Sequence, residues 1–425
     1  MHRYLMVPVL AFAGFTTSAA TADTTTVCAS GCDFTSIQAA IDAANDGDVI
    51  NLTDSVYNEG AEIDMRGKAI TLKGQTQGGT AITCIESQYG YRIIACRSGE
   101  TSATVLQNLY FSYGLGEGLG GGGLLIEGSS PTIENCTFLS NQIEFGMFGG
   151  GVLVNGGSPK FIKTYFSFNG PFLSDQVISG GGLAVINGGH VTMESPYFLQ
   201  NRAQAGGGLY VGSGSSASLS VTLNEFVNFV GNKAYALDSV NLPGEQPGLG
   251  GGIANFGDIT IQGASSSGKG VFEFVSNVAD GISGMPGLGG GIYHDGTSLV
   301  MSLTSFTLNH ADKGGGVYTV TSGVDLESVV FTINSPNGVA GAPGSSPGLR
   351  GQPPVIAVNS CKIYANGDGE IDQQIDGLLV MHLGDNHISK HPPLSDCPSD
   401  LNGDGQVDAA DLGLLLSAWG FCGTP

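Results

Sequence analysis

Short apolar pieces alternate with glycine, asparagine and serine along most of the chain, and between residues 121 and 334 the alternation becomes a repeat. Gly-Gly-Gly followed by Leu, Val or Ile begins at 121, 149, 180, 206, 250, 289 and 314. Each triplet is answered by Phe-x-x-Asn, starting at Phe138, Phe166, Phe198, Phe229, Phe274, Phe306 and Phe331. Five units keep 17 or 18 residues from the first Gly to the Phe, and two carry insertions. From each Asn to the next triplet the spacing runs from 5 to 18 residues, which places the variable loops at one repeated corner.

Within a unit the apolar residues follow a period of two, as in Gly151-Val152-Leu153-Val154 and Thr164-Tyr165-Phe166-Ser167-Phe168, which predicts short strands and no crossover helix. In Thr132-Ile133-Glu134-Asn135-Cys136-Thr137-Phe138 the alternation puts Cys136 and Phe138 on one side, and Ile133 joins them if Asn135 is a left-handed turn. A unit of this size cannot bury its own apolar side, whereas stacked copies share a continuous core. The expected fold is therefore all-β: parallel strands stacked into a solenoid, the seven Phe in its core and the seven Asn in a hydrogen-bonded corner ladder. Upstream the period changes. Ile37, Ala40, Ile41 and Ala44 share one helical face, with Thr35 and Gln38 as a capping box, and Val49-Ile50-Asn51-Leu52 reads as the first strand.

Composition narrows the class. Gly supplies 70 of the 425 residues without a triplet period, which excludes collagen, and 12% charged residues beside 41% apolar ones permit a packed core. With 15 Lys and Arg against 37 Asp and Glu, the net charge of −22 excludes a nucleic-acid partner held through phosphates. Residues 1–22 have the layout of a secretory signal peptide: His2 and Arg3, an apolar stretch, then Ala20-Thr21-Ala22. No later apolar run is long enough for a transmembrane segment. The expected location is secreted, extracellular or at the cell surface. Eight Cys in an exported chain permit bridges, and the pairs expected to be able to form them are Cys28–Cys32, Cys84–Cys96 and Cys397–Cys422, with Cys136 and Cys361 free.

These features resemble the right-handed parallel β-helix proteins of the pectin-lyase-like superfold, with a helix plugging the first coil. The paired GGG[LIV] and FxxN motifs look like the repeats of polymorphic outer membrane proteins over residues 121–334. Near the C-terminus, Asp400, Asn402, Asp404, Asp408 and Asp411 present oxygen atoms at positions 1, 3, 5, 9 and 12 of a loop, with Gly405 at the sharp turn and the Gln406 carbonyl at position 7. That is the donor set a Ca²⁺ ion requires. Leu412, Leu415, Leu416 and Trp419 follow at helical spacing. The segment resembles a dockerin type I repeat, which implies docking to a cohesin-like protein, although Ala409 and Ala410 stand where a dockerin carries hydroxylated residues. The resulting domain organisation is a cap at 23–47, a β-helix at 48–380, a linker at 381–395 and a calcium module at 396–423.

Candidate catalytic chemistry is sparse. Glu134, Glu194, Glu225 and Glu327 each stand four residues before the Phe of their unit, and stacking would bring Glu194 and Glu225 together as a carboxylate pair. No His or Arg accompanies them, and His294 and His310 read as polar surface or turn residues near the glycine corners. Two function classes follow. The favoured one is a non-catalytic surface or matrix protein that contacts polysaccharide, glycan or matrix, anchored by its calcium tail. The alternative is a polysaccharide lyase or glycoside hydrolase on the same shaft.

Overall fold

Each sequence unit becomes one coil of a parallel β-solenoid. The computed structural model describes residues 22–143, 148–171, 178–222, 227–236, 246–264, 270–282, 284–341, 355–364, 375–376, 378–382 and 386–389. Three long sheets run the length of the shaft. Sheet 1 has 13 strands, from Thr24–Val27 to Leu379–His382; sheet 2 has 12, from Val56–Tyr57 to His387–Ser389; sheet 3 has 11, from Ile63–Asp64 to Ile375–Asp376. All their pairings are parallel and join successive coils, in agreement with the eleven to thirteen coils that about 25–30 residues per coil implies. One antiparallel hairpin, Thr76–Gln77 with Thr80–Ala81, projects between sheets 1 and 2.

The repeat has a direct steric reading. Gly180 adopts φ +74°, a Cβ on Gly181 would stand 2.4 Å from the Gly207 carbonyl oxygen of the next coil, and one on Gly182 would stand 2.9 Å from the Phe198 ring. The triplet thus makes the corner, admits the neighbouring backbone and leaves room for the Phe of its own unit. Inside, Phe111, Phe138, Phe166, Phe198, Phe229, Phe274, Phe306 and Phe331 stack with centroids 4.4–5.4 Å apart.

The Asn of each motif forms the ladder expected of it. Asn201 donates from Nδ2 to the Phe166 carbonyl (2.8 Å) and to Asn232 Oδ1 (2.9 Å), while its own Oδ1 accepts from the N–H and Nδ2 of Asn169. The ladder runs from Asn141 to Asn334, fully buried, so every coil turns on an amide satisfied by its neighbours. Asn135 is left-handed (φ +49°) and Ile133 is buried with Cys136 and Phe138, as the alternation implied.

The N-terminal end differs from expectation in three details. Ser36, not Thr35, caps the helix Ile37–Ala43, accepting from the Ala39 N–H. Its remaining N-terminal donors are met from the next coil, where Glu59 accepts from the Ser36 hydroxyl and from the N–H groups of Ile37 and Gln38. Thr24–Val27, ahead of the helix, is the first strand of sheet 1 and pairs with Val49–Leu52, so the shaft starts earlier than residue 48. The helix buries Ile37, Ala40, Ile41 and Ala44 against the first coils. At the other end, Leu379–His382 and His387–Ser389 continue sheets 1 and 2 into the expected linker.

Candidate functional site

The outward side chains of sheet 2 carry the most distinctive surface of the shaft. In the Phe ladder the residue before each Phe must point to solvent, and there the chain places Tyr110, Thr137, Tyr165 and Tyr197 in one cross-coil row. The Tyr165 and Tyr197 rings lie 5.8 Å apart, and Tyr165 is 44% exposed. Phe168, left-handed and 51% exposed, rises on one side of this row. On the other stands the Thr76–Ala81 hairpin, whose Gly79 carbonyl accepts from Asn135 Nδ2 (3.2 Å); the same Nδ2 donates to Asn108 Oδ1 (2.8 Å). Together they enclose a groove of about 620 Å³ floored by Tyr110, Thr137, Leu139, Tyr165 and Ser167, with Lys163 at its rim.

Flat aromatic faces beside amide and hydroxyl groups suit a ligand with both C–H faces and hydroxyls. No carboxylate is among the described residues lining this groove. The sequence reading missed these residues because it followed the inward Phe. The signal lay one position earlier, in the dipeptide Tyr-Phe at 110–111, 165–166 and 197–198.

Of the carboxylate pair expected from Glu194 and Glu225, Glu194 alone falls within the described residues. Glu194 pairs in sheet 1 with Ser220, and its carboxylate lies 3.3 Å from Lys160 Nζ. The unit that follows carries an insertion before its Phe, and Glu225 lies outside the described residues. Glu134 accepts from Gln107 Nε2, and Glu327 is solvent-exposed.

Two other carboxylates stand at the loop corner. Val278 bridges His310 in the next coil, which puts Asp280 and Asp312 at equivalent positions of successive coils, about 4.8 Å apart along the axis. They line a concavity of about 430 Å³ with His310, Gly281 and Ile282. Lys233 Nζ lies 2.7 Å from Asp280, and Asp312 accepts from the Gly287 N–H. Among the described residues no group of three or more His, Cys, Asp or Glu is placed to hold a metal ion. The loop of Asp400, Asn402, Asp404, Gln406, Asp408 and Asp411, expected from the sequence to bind Ca²⁺, lies outside the described residues, as do the expected leader, Cys397 and Cys422.

His294 is not a surface residue. It points inward from sheet 3, fully buried, and burial lowers its pKa to about 4. Asn255 orients it: the Asn255 Oδ1 accepts from the Gly257 N–H, which turns Nδ2 toward His294 Nδ1 at 2.9 Å. His310 is exposed, as expected.

Among the cysteines, Cys28 and Cys32 are bridged. Cys84 and Cys96 are not: Cys84 belongs to the outward row of sheet 2 beside Tyr110, and Cys96 is buried in sheet 3 beside Ile126. Cys136 and Cys361 are buried thiols that do not bridge each other, and desolvation pushes the Cys136 thiol up to about 12.

Residues 20–226 match the family model described as Right handed beta helix region. The fold is a right-handed parallel β-helix. No curated protein and no solved structure matches the chain. The matched span of the β-helix holds the capping helix, the hairpin and the aromatic row, so the groove lies within it, whereas the Asp280–Asp312 corner lies beyond it.

Proposed function

We propose that this β-helix is a secreted or surface-located, non-catalytic protein that binds a polysaccharide or matrix glycan in the groove of sheet 2. The observation that carries the reading is the pair Tyr110 and Tyr165 on the groove floor, walled by Phe168 and the hairpin, with Lys163 as its cationic rim and Tyr197 continuing the aromatic row in the next coil. The groove runs along the shaft across several coils, which suits a linear chain better than a compact small molecule. Tyr165→Ala combined with Phe168→Ala should weaken binding to an immobilised glycan panel about tenfold or more, since loss of two aromatic contacts removes on the order of 1.4 kcal/mol or more. Both side chains are exposed, so the shaft should fold unchanged. Binding that is equal in parent and variant would remove the groove from consideration.

The second reading, a polysaccharide lyase or glycoside hydrolase, is favoured by the Asp280–Asp312 pair with His310 and Lys233, since adjacent carboxylates suit acid and base roles. Soluble products from any polysaccharide, lost in Asp312→Asn, would establish it. The tail completes the first reading: residues 400–411 take up Ca²⁺ and anchor the shaft, to a cohesin-like protein or another surface component. The donor chemistry supports this, with oxygen from Asp400, Asn402, Asp404, Gln406, Asp408 and Asp411. Calorimetry should find uptake of one Ca²⁺ that Asp411→Ala weakens more than Asn402→Ala does, because Asp411 closes the loop and carries charge.

A further inference from the structure

We propose that the groove of sheet 2 selects a neutral, flat, β-1,4-linked glycan laid along the shaft, and grips every second ring of it. The inference deepens the groove reading and rests on it. Two outward positions three residues apart recur in successive coils here, one in the sheet 2 strand and one at the left-handed residue just after it. They hold Tyr110 and Tyr113 in one coil, Thr137 and Ser140 in the next, and Tyr165 and Phe168 in the one after that. Aromatic pairs thus flank a coil in which both positions are small and hydroxylated. Neither position packs into the core, so the shaft itself does not demand this alternation. Tyr113, Tyr165 and Phe168 remain 38%, 44% and 51% exposed, large apolar surfaces that folding leaves in water. The Tyr113 ring meets Tyr89 edge-on at 5.5 Å and the Tyr165 ring meets Tyr197 at 5.8 Å, so both pairs are backed by a neighbouring ring.

The spacing identifies the occupant. Pairs two coils apart are separated by roughly 10 Å along the axis, at about 4.8 Å per coil. In a β-1,4-linked chain of equatorial rings each ring is flipped relative to the one before, so every second ring offers the same C–H face, and the two-ring repeat has that same length. Two like faces then stack on the aromatic pairs, while the ring between them lies over the hydroxyls of Thr137 and Ser140. An α-1,4-linked chain winds into a helix and a β-1,3-linked one curls, so neither keeps two like faces on a straight line at this interval. Charge narrows the class further. Lys163 is the one charged side chain among the described lining residues, and a chain of net charge −22 repels a polyanion stretched along its coils, which leaves the neutral members of the class.

Calorimetry of the full-length protein with oligomers of β-1,4-linked glucose and N-acetylglucosamine, and with the α-1,4- and β-1,3-linked glucose series, tests this. In at least one β-1,4 series affinity should step up about tenfold between two rings and three, because the third ring reaches the second aromatic pair. Tyr110→Ala and Tyr165→Ala should each remove that step. Thr137→Tyr fills the middle position and should weaken the three-ring oligomer; the same row holds Tyr in the coils on either side, so its circular dichroism should match the parent's. An α-1,4 or β-1,3 series bound as tightly as the β-1,4 ones, or affinity that climbs evenly with length, overturns the inference. So does a three-ring affinity that Thr137→Tyr leaves unchanged. If no β-1,4 oligomer binds but another glycan does, and the Tyr165→Ala, Phe168→Ala variant loses it, the inference falls and the groove stands. β-1,4 oligomers bound equally by the parent and that double variant overturn both.

Discussion

His294 shows how one inward position can tie stability to pH. Its row in sheet 3 continues from Val211 through Asn255 to Thr319, so the interior turns from apolar to polar along the shaft. With Asn255 Nδ2 donating to Nδ1, the neutral ring carries its proton on Nε2, which meets no acceptor among the described residues. Protonating Nδ1 would set two donors face to face. The folded pKa of about 4 lies below the ordinary 6.5, so the neutral state's contribution is fully present above pH 6.5 and is lost as pH falls from there to about 4. The shift corresponds to about 3 kcal/mol. Denaturant titrations at pH 7.5 and 4.5 should show a loss of that order in the parent and a smaller one in His294→Gln; equal losses would assign the acid sensitivity elsewhere.

The capping helix Ile37–Ala43 is too short to hold its own ends, and the next coil holds them for it. Glu59 satisfies the first-turn donors, and Lys68 Nζ donates to the carbonyls of Ile41, Asp42 and Ala44 at 2.6–2.8 Å. A carboxylate at the N-terminus and an ammonium at the C-terminus also oppose the helix dipole. Lys68→Met leaves three carbonyls without that donor and should cost on the order of 2 kcal/mol locally. Amide exchange should then quicken across residues 37–52 while coils around Phe198 keep their protection. Uniform loss across the shaft would mean that the cap and the coils open as one unit. The Tyr-Phe strands of sheet 2 show the complementary case, in which one strand serves both faces: Phe for the core, Tyr for the groove.

At the scale of the whole molecule, coils are interchangeable to the extent that their ladders match. Ser179 and Ala205 occupy the same bridge position, immediately before Gly180 and Gly206. Deleting residues 180–205 therefore joins Ser179 to Gly206 in register, stacks Phe166 on Phe229 and hands Asn169 to Asn232. The shortened shaft should keep a β circular dichroism spectrum and cooperative unfolding, since each coil contacts only its neighbours. Deleting 184–208 instead leaves Leu183 followed by Leu209, which occupy one register position of sheet 3, so the extra residue falls inside the strand and turns its later side chains to the wrong face. That variant should aggregate or lose cooperativity. A well-folded product from both deletions would refute the register argument.

Periodicity alone determined the coil, the inward Phe stack, the Asn ladder and the buried fate of Cys136 and Cys361, because each follows from alternation within a strand and repetition between strands. The Cys28–Cys32 bridge was legible for the same local reason. What the sequence could not decide were contacts set by register across insertions and by packing between coils. Glu194 meets Ser220 because an insertion breaks the count to the next Phe, and Cys84 and Cys96 part because consecutive strands of one coil face different sheets. The helix ends are held by Glu59 and Lys68 from the following coil, which no local capping signal contains. His294 is drawn inside by the alternation of sheet 3, and the groove exists only once Tyr110, Thr137 and Tyr165, each about a coil apart in sequence, are stacked beside the hairpin. Spacing within a unit is written in the chain, whereas proximity between units comes into being only when the coils stack.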